Sequence, residues 1–173
     1  MNPMKITATD LREIPPEKLK EVLEQLGPKK TEELQHTWEF WARPEQLEPT
    51  GDWNIWIALA GRGWGKTRAG VEWVRHQIKS GKKRIAAVAP TNSDIRRVMV
   101  EGESGFLNVC WKGDKTYRGG KLGYPNWSPT NRTLTWENGA KVEFYSAEDP
   151  ERLRGPQFHA AWADEVAAWR NQQ

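Results

Sequence analysis

The sequence predicts an α/β fold with a mainly parallel sheet, helices on its faces and one β-hairpin. Three observations predict it. Continuous apolar runs recur at residues 54–60, 84–89 and 158–163, the pattern of strands buried on both faces. A helical period over 66–79 separates the first two runs, which makes a strand–helix–strand crossover and calls for parallel pairing. Asn138-Gly139 then divides two alternating segments, 132–136 and 141–145, as a two-residue hairpin turn does.

The elements follow in chain order. The first 15 residues read as a leader. Pro15-Pro16 opens a helix with Leu19, Val22, Leu23 and Leu26 on one face, and Gly27-Pro28 stops it. A second helix starts near Thr31 and runs toward Ala42, with Leu34, Trp38 and Trp41 on one stripe, until Arg43-Pro44 ends it. After a Pro- and Gly-containing loop comes the first strand, Asn54–Ala60. The helix from Lys66 to Lys79 turns Val71, Val74 and Ile78 inward and closes at Ser80-Gly81. The strand Arg84–Ala89 follows, then a mostly helical stretch over 93–109. Residues 111–130, rich in Gly, Pro, Lys and Tyr, read as a long irregular insertion. The hairpin and the strand Phe158–Ala163 complete the series.

Composition narrows the function. A chain of 173 residues holds one ordinary core, not two full domains. No apolar run approaches the roughly 20 residues of a membrane helix, and the N-terminus lacks a signal-peptide apolar region. The single cysteine, Cys110, excludes an internal disulfide framework, and His36, His76 and His159 fall in no metal-ligand spacing. Charge is unevenly spread: residues 1–50 carry 7 basic and 10 acidic side chains, residues 51–100 carry 10 and 3. The middle of the chain therefore reads as an anion-facing region or as a solvated basic face. The 11 tryptophans read mainly as packing residues.

Directly after the first strand stands Gly61-Arg62-Gly63-Trp64-Gly65-Lys66-Thr67, and the helix begins at once. Glycines let consecutive backbone N–H groups curl round a phosphate with no Cβ in the way. The helix N-terminus adds partial positive charge. Lys66 can reach the β- and γ-phosphates of ATP, and the Thr67 hydroxyl can ligate Mg²⁺. Ala60 takes the place of the first glycine in the usual G-x-x-x-x-G-K-[ST] pattern, a small residue that still permits the turn. Far downstream, the strand Ala160–Ala163 ends in Asp164-Glu165. In a phosphate-loop NTPase an Asp there holds the metal and a neighbouring Glu polarises the attacking water, giving Asp164 the Mg²⁺ role and Glu165 the base role.

Several segments in one order resemble the large terminase subunit of tailed bacteriophages. They are Phe40–Gln46, the loop Ala60–Thr67 with the helix start Arg68–Arg75, Val88-Ala89-Pro90-Thr91, and Leu153–Phe158 leading into Ala163-Asp164-Glu165. The resemblance spans roughly residues 38–170. It implies a RecA-like, additional-strand P-loop ATPase with an incomplete sheet. It also implies a motor that assembles as a homo-oligomeric ring on a portal protein, works with a small terminase subunit and drives double-stranded DNA into a procapsid in the host cytoplasm. By position, Gln46 matches a glutamine that reads adenine, Arg43 lies near the base or ribose, and Arg62 matches an arginine close to the phosphates. Arg154, or Arg152 beside it, matches an arginine finger that reaches a neighbouring subunit's ATP. Residues 1–30 are then a leader and helix, and 31–173 a partial ATPase domain cut after the Walker B acids, with the family's nuclease domain absent. Two rival readings stay open, a RecA-like helicase or translocase and a nucleotide-binding remnant that never turns over. Lys112, Lys115, Arg118 and Lys121 in the insertion are candidates for sequence-independent phosphate contact.

Overall fold

The protein is described by a computed structural model, which covers Ala8, Leu11 and residues 14–169, apart from the side chains of Leu19 and Leu23. Most of the expected leader and those two leucines therefore lie outside the described residues. The chain divides into two units, Met1–Trp56 and Ile57–Gln173.

In the first unit, α1 runs Pro16–Gln35 and is kinked at Gly27, whose φ of 73° is non-helical. Pro15 precedes its first turn, and Pro28 follows the kink, as the Gly-Pro signal requires. The second limb stops at Gln35 rather than running on to Ala42. A separate single turn, α2 (Trp38–Trp41), follows and buries Phe40. Trp41 is 50% exposed, its indole N–H donating to the Leu34 carbonyl, so it does not pack as a core residue.

The second unit contains α3 (Lys66–Lys79), β1 (Arg84–Ala89), α4 (Asn92–Asp94, continuing as a π-helix over Ile95–Val100), α5 (Phe106–Val109), β2 (Asn126–Ser128), β3 (Thr133–Thr135), β4 (Lys141–Ser146) and β5 (Ala160–Ala163). The strands form one mixed sheet in the order β2-β3-β4-β1-β5. β1 pairs in parallel with β4 and β5, whereas β2, β3 and β4 pair antiparallel. The core lies between α3, the π-helical turn and the sheet: Val71, Val74 and Ile78 pack with Ile85, Ala87, Met99, Phe106 and Phe144. Among the tryptophans, Trp136 lies in this core, and Trp73, Trp127 and Trp162 pack against it. Cys110 is buried in the same cluster, and burial pushes its thiol up to about 12. No helix among the described residues is long and apolar enough to cross a membrane.

One expected strand is missing. Residues 54–60 adopt no regular structure and pair with no strand. Within the second unit Ile57 is 69% and Leu59 92% exposed. The run has the composition of a buried strand, but among the described residues it is bonded neither to β5, the edge strand of the sheet, nor to any other strand, and composition alone supplies no pairing partner.

A buried ion network braces α3. Arg75 donates to Glu72 at 2.5 Å and to both oxygens of Asp114 at 2.6 and 2.7 Å, and Lys79 reaches Asp114 at 2.8 Å. Burial opposes the Arg75 charge, but the two adjacent carboxylates outweigh it and hold its pKa above the ordinary value.

Candidate functional site

The glycine loop takes the shape its residues allow. Gly63 (φ 78°) and Gly65 (φ 90°) both occupy left-handed backbone, which costs a side-chain-bearing residue heavily. Gly65 caps α3, and its carbonyl accepts the N–H of Ala69 at 2.9 Å. The first turn of this long helix therefore presents Lys66 and Thr67 directly after the loop. Lys66 Nζ donates to the carbonyls of Ala60 at 3.1 Å and Gly61 at 3.3 Å, and stands 3.6 Å from Glu165 Oε1. Within the loop Arg62 is exposed and Trp64 half-buried.

The acidic pair meets this loop across about a hundred residues of sequence. Parallel pairing beside β1 fixes the end of β5, and the Asp164 N–H donates to the Val88 carbonyl at 2.9 Å. Asp164 is buried, and the Thr67 hydroxyl approaches its Oδ2 at 3.4 Å, a long contact. Burial raises the pKa of Asp164, and the Glu165 charge raises it further. Thr67 and Lys66 pull the other way. Glu165 is exposed and sits in left-handed backbone at φ 45°, ψ 46°, an uncommon conformation for a residue with a side chain. Thr67 and Asp164 bring two hard oxygen donors to one point. That suits Mg²⁺, which is held by few protein ligands and keeps several waters.

A cleft of about 550 Å³ opens at the carboxyl ends of the parallel strands, with Thr91, Asp94, Glu148, Asp164 and Glu165 on its walls. Ligands of open α/β sheets bind outside this edge. Its upper rim was not anticipated from sequence. Thr91 caps α4 through the Asp94 N–H, and Glu148 accepts from Ser146 Oγ at 3.1 Å. The available signal was positional, since each of these residues follows the end of β1 or β4 by a few positions.

Other expected site residues are placed as follows. Arg154 stands exposed beside Gly155, which has a φ of 104°, and pairs with Glu151 at 2.8 Å. Arg152 pairs with Asp149 at 2.7 Å. Arg43 and Gln46 belong to the first unit. There Gln46 is buried and its Oε1 accepts the Arg43 N–H at 3.0 Å, so its carboxamide helps fold its own loop.

One further contact sets the geometry of α3 against β5. A Cβ on Gly70 would lie 2.2 Å from the Trp162 ring, so only glycine lets α3 approach β5 this closely. A glycine inside a helical period is the signal that marks such a place.

No curated protein and no solved structure matches the chain at a significant level. The family described as terminase large subunit, T4likevirus-type, N-terminal, matches residues 57–173, the whole of the second unit. The glycine loop, the acidic strand end and the sheet that joins them all fall inside that match, and the chain belongs to this family of phage terminase large subunits.

Proposed function

We propose that the chain binds ATP with Mg²⁺ at the 60–67 loop and forms the ATP-hydrolysing part of a viral motor that moves double-stranded DNA into procapsids. The observation that carries this is the meeting of Thr67 and Asp164 at 3.4 Å, across 97 positions of sequence. In this reading the backbone N–H groups of Gly63 to Thr67 and the Lys66 ammonium hold the phosphates. Thr67 and Asp164 hold the metal, whose charge offsets that building on the phosphate oxygens. Glu165, exposed beside Lys66, takes the proton from the attacking water. Arg154 acts on a neighbour's site in a ring, with Arg62 at the phosphates. The portal protein and the small terminase subunit are the assembly partners, in the host cytoplasm.

A second reading, nucleotide binding without turnover, is favoured by the unpaired run before the loop. A phosphate loop whose preceding strand is unsupported is held less firmly. One experiment separates the two readings: binding of a fluorescent ATP analogue and phosphate release, both with and without DNA. Lys66→Ala should abolish binding. Glu165→Gln should keep binding and lower turnover by about 10²–10⁴-fold. Wild-type binding without any phosphate release favours the second reading. Unchanged binding by Lys66→Ala overturns both.

A further inference from the structure

The pole of the sheet away from Asp164 carries a concentration of cations that the nucleotide site does not use. β1 begins after Lys82-Lys83 and β4 begins at Lys141, and the Lys141 N–H donates to the Lys83 carbonyl at 2.8 Å. The hairpin turn leans on them, with Lys83 Nζ donating to the Asn138 carbonyl at 2.6 Å. The 111–125 insertion comes to the same pole. There Lys115 and Lys121 face each other in an antiparallel bridge, and the turn between them carries Arg118. Lys121 pairs with Glu137 at 2.9 Å. Lys82, Lys115, Arg118 and Lys141 pair with no carboxylate among the described residues, and the last three are exposed. Two nearby acids are already matched: Asp114 is buried against Arg75 and Lys79, and Glu143, two positions beyond Lys141, pairs with Arg84 at 2.8 Å.

This small hairpin is fastened to the nucleotide helix. The Asp114 carbonyl closes its base by accepting the N–H groups of Leu122 and Gly123, while the Asp114 side chain bonds α3. The Tyr117 N–H donates to the Lys79 carbonyl at 3.0 Å, and the Tyr117 hydroxyl meets His76 Nδ1 at 2.7 Å. α3 therefore holds Lys66 and Thr67 at one end and the cationic hairpin at the other, about 20 Å apart at 1.5 Å per residue.

We propose that this pole, with Lys83, Lys141, Lys115, Arg118 and Lys121, is a sequence-independent contact for the phosphates of duplex DNA. It rests on the packaging reading only for the choice of duplex. Turns bearing lysine and arginine can track a charged backbone, and Lys83, Lys141, Lys115 and Lys121 are compact point charges that suit phosphate oxygens. The rigid seat on α3 makes the contact and the phosphate loop parts of one body.

The test is anisotropy of a labelled mixed-sequence duplex with the full chain and no nucleotide, from about 50 to 200 mM salt. The triple variant Lys115→Ala, Arg118→Ala, Lys141→Ala should bind at least about tenfold more weakly. Its log–log salt slope should be smaller by about 2–3, near one counterion per lost contact. A control removing the same charge elsewhere, Lys18→Ala, Lys29→Ala, Lys30→Ala, should bind like wild type. Both variants should keep wild-type melting and ATP-analogue binding. The proposal is overturned if wild type fails to bind duplex, if the two variants weaken equally, or if polyglutamate competes as well as duplex. Failure of Lys66→Ala to affect nucleotide binding would sink the ATP reading and leave this result standing.

Discussion

Asp164 is the residue on which the site's electrostatics turn. It is buried, its pKa is raised mainly by that burial, and its nearest helpers are a hydroxyl and a partly exposed ammonium. The linkage has a definite sign. A carboxyl that holds its proton more tightly when folded stabilises the fold below its unfolded pKa of about 3.9, and that stability is lost as pH rises through the folded value. At neutral pH the ionised Asp164 is thus a cost that bound metal would relieve. Asp164→Asn should melt higher than wild type at neutral pH, and the gap should close as pH falls into the ordinary carboxylate range. The same variant should lose Mg²⁺-dependent nucleotide binding. Calorimetry across pH with and without Mg²⁺ checks both, and a lower melting temperature at neutral pH would refute the assignment. Residues of this kind were legible in the sequence because the motif is local: Gly65-Lys66-Thr67 opens a helix, and Asp164-Glu165 closes a strand. Gln46 was less legible, since its carboxamide oxygen is spent on the Arg43 backbone, a contact no spacing announces.

At the scale of elements, the helix Lys66–Lys79 and the strand Arg84–Ala89 match the sequence reading because their signals are periodic and self-contained. The close approach of α3 to β5 was not legible, because it depends on Trp162 arriving from far along the chain. Gly70 is where the two meet, with no room for a methyl group beside a rigid indole. Gly70→Ala gains helix propensity of up to about 1 kcal/mol, but overpacking costs about 1–3 kcal/mol. The clash should win, giving a net loss seen as a lower urea midpoint with an unchanged slope. Displacing α3 from β5 would also part Thr67 from Asp164, so Mg²⁺-dependent nucleotide binding should weaken more than stability alone accounts for. Gly70→Ala combined with Trp162→Leu should recover part of both. A single variant as stable as wild type would show that the helix can move away freely.

For the whole molecule, the decisive feature is where the sheet stops. The run 54–60 has the composition of a strand, yet pairing is a property of neighbours, and a sequence window contains none. Within the second unit the consequence is quantitative. Ile57 and Leu59 are 69% and 92% exposed, whereas Ile85 in β1 is fully buried. Leu59→Lys should therefore change stability by no more than about 0.5 kcal/mol, the range of surface substitutions. Ile85→Lys puts an unpaired ammonium in the core and should abolish cooperative folding. Hydrogen exchange supplies the independent reading. Amides of 57–60 should exchange at nearly unprotected rates, while those of 85–88, flanked by β4 on one side and β5 on the other, should exchange only through global opening. An exposed apolar run and an open β5 edge also favour self-association, so Leu59→Lys should lower the apparent mass of concentrated samples in gel filtration. Protection of 57–60 equal to that of β1 would mean that this run is paired after all. The phosphate loop would then hang from a sixth strand, and the turnover reading would regain the support that an unpaired run withholds.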